Sequence, residues 1–191
     1  MDTNLSTLTA DADRVMWVTT TTPYVANFEM QASYEDDGDR KVFRYAAILH
    51  YKYVVGIESV VLLLRPEAEG PGFTGRLHYR APGSEVVFTY RLVRVWQLPV
   101  ERLLTGALAT LPLAPIADAN AAELPEVVTR MKARILAEAE PVDSVELWTT
   151  VALLMGLRYQ PDSIRELLKG VSGLEESTIY QEILGKGQEI G

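Results

Sequence analysis

Between Tyr24 and Leu64 the hydrophobic pattern changes period twice, and this change restricts the fold more than any other feature of the chain. Tyr24–Gln31 alternates, with Tyr24, Ala26, Phe28 and Met30 on one face and the more polar set Val25, Asn27, Glu29 and Gln31 on the other. From Arg40 to Tyr53 the repeat becomes helical. Val42, Tyr45, Ala46, Leu49 and Tyr53 fall on one stripe, while Lys41, Arg44 and Lys52 are expected to face water. After Gly56, Ile57–Leu64 ends in five consecutive aliphatic residues, as in a strand buried on both faces. A strand, a helix and a doubly buried strand in that order predict a helical crossover between strands of one sheet.

The flanking segments complete an α/β (α+β) reading. Arg14–Val18 is a short β-type run, and the polar cluster Thr19–Pro23 joins it to Tyr24–Gln31 as a hairpin. The acidic loop Glu35–Asp39 precedes the helix. Strands over Thr74–Arg80 and Val86–Leu98 flank Ala81-Pro82-Gly83-Ser84, a second hairpin with Arg76, His78 and Arg80 alternating onto one face. Beyond Pro99 the pattern predicts helices at Val100–Leu104, Pro125–Ala139, Ser144–Leu157, Asp162–Leu168 and Glu175–Leu184. The Leu111-Pro112-Leu113-Ala114-Pro115 stretch divides an α/β core over residues 1–110 from a helical region over residues 111–191.

Composition narrows the chemistry. The chain has no cysteine and two histidines, His50 and His78, so thiolate chemistry is excluded and a multi-histidine metal site is not expected. A metal would be held by carboxylate oxygens, which favours magnesium or manganese. No apolar run approaches the ~20 residues of a membrane helix, and the opening MDTNLSTLTADADR has neither a basic start nor an apolar stretch, so a cytoplasmic protein without a secretory leader is expected. The net charge of −8 argues against indiscriminate nucleic-acid binding. That charge is uneven: residues 1–100 hold 10 basic against 12 acidic side chains, and residues 101–191 hold 8 against 14.

The arrangement with most chemical content is Asp13 followed, after fifteen intervening residues, by Glu29-Met30-Gln31. In a hairpin, an acid at the start of one strand and an acid at the end of its antiparallel partner lie near each other. Carboxylates that converge on one hard ion, with a polar group beside them, are what phosphodiester hydrolysis needs. Glu29 and Gln31 share a face, and the Met30 carbonyl offers one more oxygen. As spacing alone the pattern arises often by chance; the plain alternative has Asp13 capping a turn and Glu29 and Gln31 on a solvated sheet face.

Phe28-Glu29-Met30-Gln31-Ala32, then Arg40 and Arg44-Tyr45, then SVVLLLRPEAEGPG (residues 59–72), resemble bacterial PD-(D/E)XK proteins of the recombination-promoting nuclease and transposase-like group. Leu111–Ala117, Gly156-Leu157-Arg158-Tyr159 and residues 176–187 extend the resemblance along the chain. It implies a restriction-endonuclease-like mixed sheet, with Asp13 and Glu29 as ligands of Mg2+ (or Mn2+) and Gln31 in the place of the superfamily lysine. It also implies a metal-dependent DNA endonuclease, DNA as partner, and self-association through the helical region. The motif departs from the group in reading Glu-Met-Gln, with Met30 for an aromatic residue. The alternative function is a catalytically inactive, nuclease-like oligomeric binding or scaffold module, and a third reading is an adaptor whose acidic helical half binds a basic partner.

Arg40 and Arg44, one helical turn apart, are candidates for DNA phosphates or for pairing with the acidic loop; Arg76 and Arg80 are further DNA-contact candidates. Asp11 is the rival of Asp13. His50, His78, Trp17, Trp96 and Trp148 are read as structural residues, the tryptophans as core anchors.

Overall fold

The computed structural model describes residues 14–171 and residue 174. The chain divides into two compact units, Met1–Val93 and Arg94–Gly191.

In the first unit, β1 (Arg14–Val18) and β2 (Tyr24–Gln31) form the expected antiparallel hairpin, from Arg14 opposite Phe28 to Val18 opposite Tyr24. Helix α1 (Gly38–Tyr53) then crosses to β3 (Gly56–Leu63), which runs parallel to β2 from Tyr24–Gly56 to Gln31–Leu63. The sheet order is β1-β2-β3-β6, with β6 at Arg91–Arg94. It is a mixed sheet, and the crossover predicted from the change of period is present. The α1 stripe buries Val42, Tyr45 and Ala46, while β3 buries Val60, Val61 and Leu63.

The second hairpin, β4 (Arg76–Ala81) with β5 (Ser84–Thr89), forms a separate two-stranded sheet. Gly83, at φ +83, takes the left-handed place of the Pro-Gly turn. Phe88 packs on Phe43 of α1, ring centroids 5.4 Å apart. The single strand expected over Val86–Leu98 is instead three pieces: β5, β6 and a 3-10 turn at Val95–Gln97. The break falls at Tyr90, whose amide donates to Gly75 O at 3.0 Å and whose hydroxyl donates to Asp39. Anchoring that side chain on α1 lets the chain leave one sheet and join the other.

The second unit is helical: α2 (Val100–Thr105), α3 (Leu124–Glu138), α4 (Pro141–Met155) and α5 (Pro161–Leu167). Each of the last three begins with a proline in its first turn, where the missing N–H has no intrahelical acceptor to lose. Ahead of α3 the Asn120 side chain accepts from the amides of Ala122 and Glu123, and Glu123 Oε2 accepts from Asn120 N at 3.0 Å. This reciprocal pairing satisfies amides at the helix approach. Leu108–Ile116, which holds the stretch read as a boundary, is a 3-10 helix with Leu111 and Ala114 fully buried among α2, α3 and α4. Arg158 and Tyr159 pin it: the Arg158 guanidinium donates to the carbonyls of Ile116, Ala117 and Ala119, and the Tyr159 hydroxyl to Pro115 O at 2.7 Å.

The stripe Val127, Val128, Met131 and Ile135 packs inside this unit with Trp148, Val151 and Met155. It therefore needs no second chain to cover it. Among the described residues no helix is long and apolar enough to cross a membrane. The helix expected at Glu175–Leu184 lies outside the described residues.

Candidate functional site

The site is built on the face of β2 that the sequence marks as polar, and that face is the buried one. Asn27 is 0%, Glu29 1% and Gln31 6% exposed, whereas Met30 on the opposite face is 46% exposed. The solvated-face alternative for Glu29 and Gln31 is thereby overturned. The cause is topological: β2 lies inside the sheet between β1 and β3, and α1 crosses over this side. Ser59 of β3, directly opposite Asn27, is buried on the same face. Among the described residues neither the Asn27 amide nor Ser59 Oγ has a hydrogen-bond partner. Buried polar atoms left this way cost stability.

A cation reaches this face from α1. Lys41 Nζ donates to Glu35 Oε1 at 3.0 Å and Oε2 at 3.1 Å. With its amide turned to suit both neighbours, Gln31 Oε1 accepts from Lys41 Nζ at 3.0 Å, and its nitrogen donates to Glu35 Oε1 at 3.2 Å. Burial disfavours the ammonium, but the hydrogen bond and charge of Glu35, with smaller contributions from Tyr45 and Glu29, outweigh it and raise the Lys41 pKa. Lys41 is thus held as a cation chiefly by Glu35.

The sequence reading placed Lys41 in water and considered Arg40 and Arg44 for pairing with the acidic loop. It is Lys41, between them, that reaches back to the loop. The signal was available: Lys41 precedes buried Tyr45 by four residues, so it borders the buried stripe rather than the solvent face.

The Glu35 loop is seated by the connector after β3. Gly72 approaches so closely that a Cβ there would lie 1.8 Å from Glu35 O, and Gly72 O accepts from Asp39 N at 2.7 Å. Asp39 in turn accepts from the amide and hydroxyl of Thr74 at 2.9 and 2.6 Å. The acidic run is therefore a fixed turn, with Glu35 aimed at the site and Asp39 tying α1 to the segment leading into β4.

Asp13 and its rival Asp11 lie outside the described residues. Asp13 immediately precedes Arg14, which pairs with Phe28, the neighbour of Glu29. Among the described residues no three Asp, Glu, His or Cys side chains group so as to hold a metal. Glu29, beside unpartnered polar atoms of Asn27 and Ser59, fits a hard dication in the kind of donor it offers. A complete ligand set needs an oxygen from beyond these residues.

Arg40 and Arg44 are exposed on α1, Arg44 with its guanidinium 5.5 Å from the Tyr45 ring centroid. Arg76 and Arg80 are exposed on β4, and Arg80 and His78 converge on Glu85, each at 2.8 Å. Those contacts, Arg80 first, lower the Glu85 pKa. His50 Nδ1 lies 2.7 Å from Val55 O at the end of α1, a structural role. Trp148 is a core anchor and Trp96 is half-buried, but Trp17 is 53% exposed, edge-on to Tyr53. Its reading as a core residue is corrected: Trp17 lies on the edge strand β1, where the contact with Tyr53 leaves much of the ring open.

Comparison with protein-family models, with curated proteins and with solved structures returned no match.

Proposed function

We propose that this protein is a metal-dependent DNA endonuclease of the PD-(D/E)XK, transposase-like type, in which Lys41 of α1 supplies the cation that position 31 of the strand lacks. The observation that carries this reading is the approach of Lys41 to Gln31 and Glu35 beside the buried carboxylate Glu29. Glu29 and Asp13 would hold magnesium (or manganese), which would supply the positive charge that hydrolysis of a phosphodiester needs. Gln31 orients polar groups at the reacting phosphate. Lys41, kept charged by its acidic neighbours, offsets negative charge developing on a phosphate oxygen. Arg40, Arg44, Arg76 and Arg80 contact the DNA backbone, which suits their exposure.

The test is nicking of supercoiled plasmid with magnesium or manganese by the wild type, Glu29→Ala and Lys41→Met. Metal-dependent nicking that falls by at least about 100-fold in each folded variant is expected. A folded wild type that neither nicks DNA nor binds the metal in calorimetry overturns the proposal and leaves the nuclease-like binding module in its place.

A further inference from the structure

We propose that a second copy of this chain adds to the sheet at β1, joining two four-stranded sheets into one of eight strands about a two-fold axis. This inference is independent of the nuclease reading. β1 lies at the end of the order β1-β2-β3-β6, so among the described residues one of its backbone edges faces no strand of its own sheet. Natural edge strands carry lysine, proline or a bulge that discourages pairing. β1 reads Arg-Val-Met-Trp-Val, without a proline or an acidic residue. Its large side chains are open, with Val15 38%, Met16 46% and Trp17 53% exposed, and the Trp17 ring meets the half-exposed Tyr53 of α1.

The segment is self-complementary. Antiparallel pairing centred on Met16 engages all five residues and sets Val15 opposite Trp17 of the other copy on both sides of the axis. An aromatic residue facing a β-branched one is a favoured cross-strand pair. The same register places Arg14 opposite Val18, so the two copies' only charged β1 side chains do not oppose each other. A register shifted to place Arg14 against Arg14 sets like charges opposite and loses four of the five positions. Charge and side-chain complementarity therefore select one symmetric arrangement, with Met16 on the axis.

Val15, Met16, Trp17 and Tyr53 expose on the order of 400 Å2 per copy, against roughly 800 Å2 per partner for a standard stable interface. Ladder hydrogen bonds supplement that area, as in other strand-addition complexes. A reversible dimer in the micromolar range follows, rather than an obligate one.

Sedimentation of the full chain over about 1–200 µM tests this, spanning the micromolar range. A monomer–dimer equilibrium is expected, weakened at least tenfold by Trp17→Lys, with unchanged far-UV circular dichroism as the check on folding. Since the chain has no cysteine, Met16→Cys provides a second readout that leaves the edge intact. A short bismaleimide should link it to its own copy far faster than Val87→Cys, an exposed position on the other hairpin. A protein that stays monomeric across the range, a dimer indifferent to Trp17→Lys, or equal linking at positions 16 and 87 overturns the proposal.

Discussion

Gly72 is the position at which one methyl group should do most damage to the candidate site. A Cβ built there falls 1.8 Å from Glu35 O and 2.9 Å from Glu35 C. Ordinary contacts of this kind lie beyond about 3 Å, so a backbone must retreat by more than about 1 Å, and overpacking of that order costs about 1–3 kcal/mol. The retreat also breaks the 2.7 Å bond from Asp39 N to Gly72 O, worth about 0.5–1.5 kcal/mol. Gly72→Ala should therefore destabilise the first unit by about 3 kcal/mol. Gly70→Ala is the control. Its Cβ comes nearest the Tyr34 ring, at 2.2 Å, a side chain rather than backbone, 40% exposed and able to turn outward at the cost of its hydroxyl contacts with Asp36 and Gly72. A cost below about 1 kcal/mol is expected there. Urea unfolding followed by tryptophan fluorescence gives both values. The reasoning is refuted if the two alanines cost the same, or if Gly72→Ala costs less than about 1 kcal/mol. Because the displaced atom belongs to Glu35, Gly72→Ala should also impair any metal-dependent nicking more than Gly70→Ala does.

Two further predictions concern α1 and its surroundings. Val54 closes α1 at φ 56, a left-handed conformation that costs a β-branched residue about 1–2 kcal/mol, and its side chain is 79% exposed. Val54→Gly should raise stability by about 0.5–1 kcal/mol after the entropic cost of glycine; a lower urea midpoint would contradict this. Burial, and then the hydrogen bond to Asp39, raise the Tyr90 pKa, so folding favours the neutral phenol. Its stabilisation is complete below the unfolded pKa near 10 and is lost as the pH rises through the folded value. Thermal melts should therefore fall off above about pH 10 in the wild type and less steeply in Tyr90→Phe, and parallel pH profiles would refute the assignment.

Much of the fold was legible because period alone fixes it. Alternation marked β2, the helical stripe marked α1, the aliphatic run marked β3, and Pro-Gly marked the β4–β5 turn. The failures have a common physical origin. Val86–Leu98 looks like one strand because nothing local distinguishes residues that ladder with β4 from residues that ladder with β3. The switch is made by Tyr90 reaching Asp39, fifty-one positions away in sequence. Leu111–Pro115 reads as a connector because prolines discourage an α-helix, yet a 3-10 helix tolerates them when arginine and tyrosine side chains hold its carbonyls. Trp17 looks like a core anchor by residue type, but it lies on β1, which among the described residues is an edge strand with no neighbour on its outer side. The pairing of Glu29 with Gln31 on one face was legible. That Lys41 joins Gln31 was not, because it depends on how α1 lies across the sheet.

The two units place their polar residues differently, and the contrast bears on function. The buried cluster of the second unit is built from apolar side chains, with the Arg158 guanidinium and Tyr159 hydroxyl spent on backbone carbonyls. The first unit buries Asn27, Glu29, Gln31 and Ser59 together on one sheet face. At Asn27 β2 could carry valine and gain stability, since desolvating an amide without a partner among the described residues opposes folding and adding methyl groups favours it. Local pattern and global burial disagree here more sharply than elsewhere in the described residues, and such disagreements concentrate where function is served. The amide and the lysine at the end of β2 also have a structural task, since Gln31 and Lys41 both bond Glu35. In the nuclease reading proposed above, the same face, with the Glu29 carboxylate, carries the chemistry.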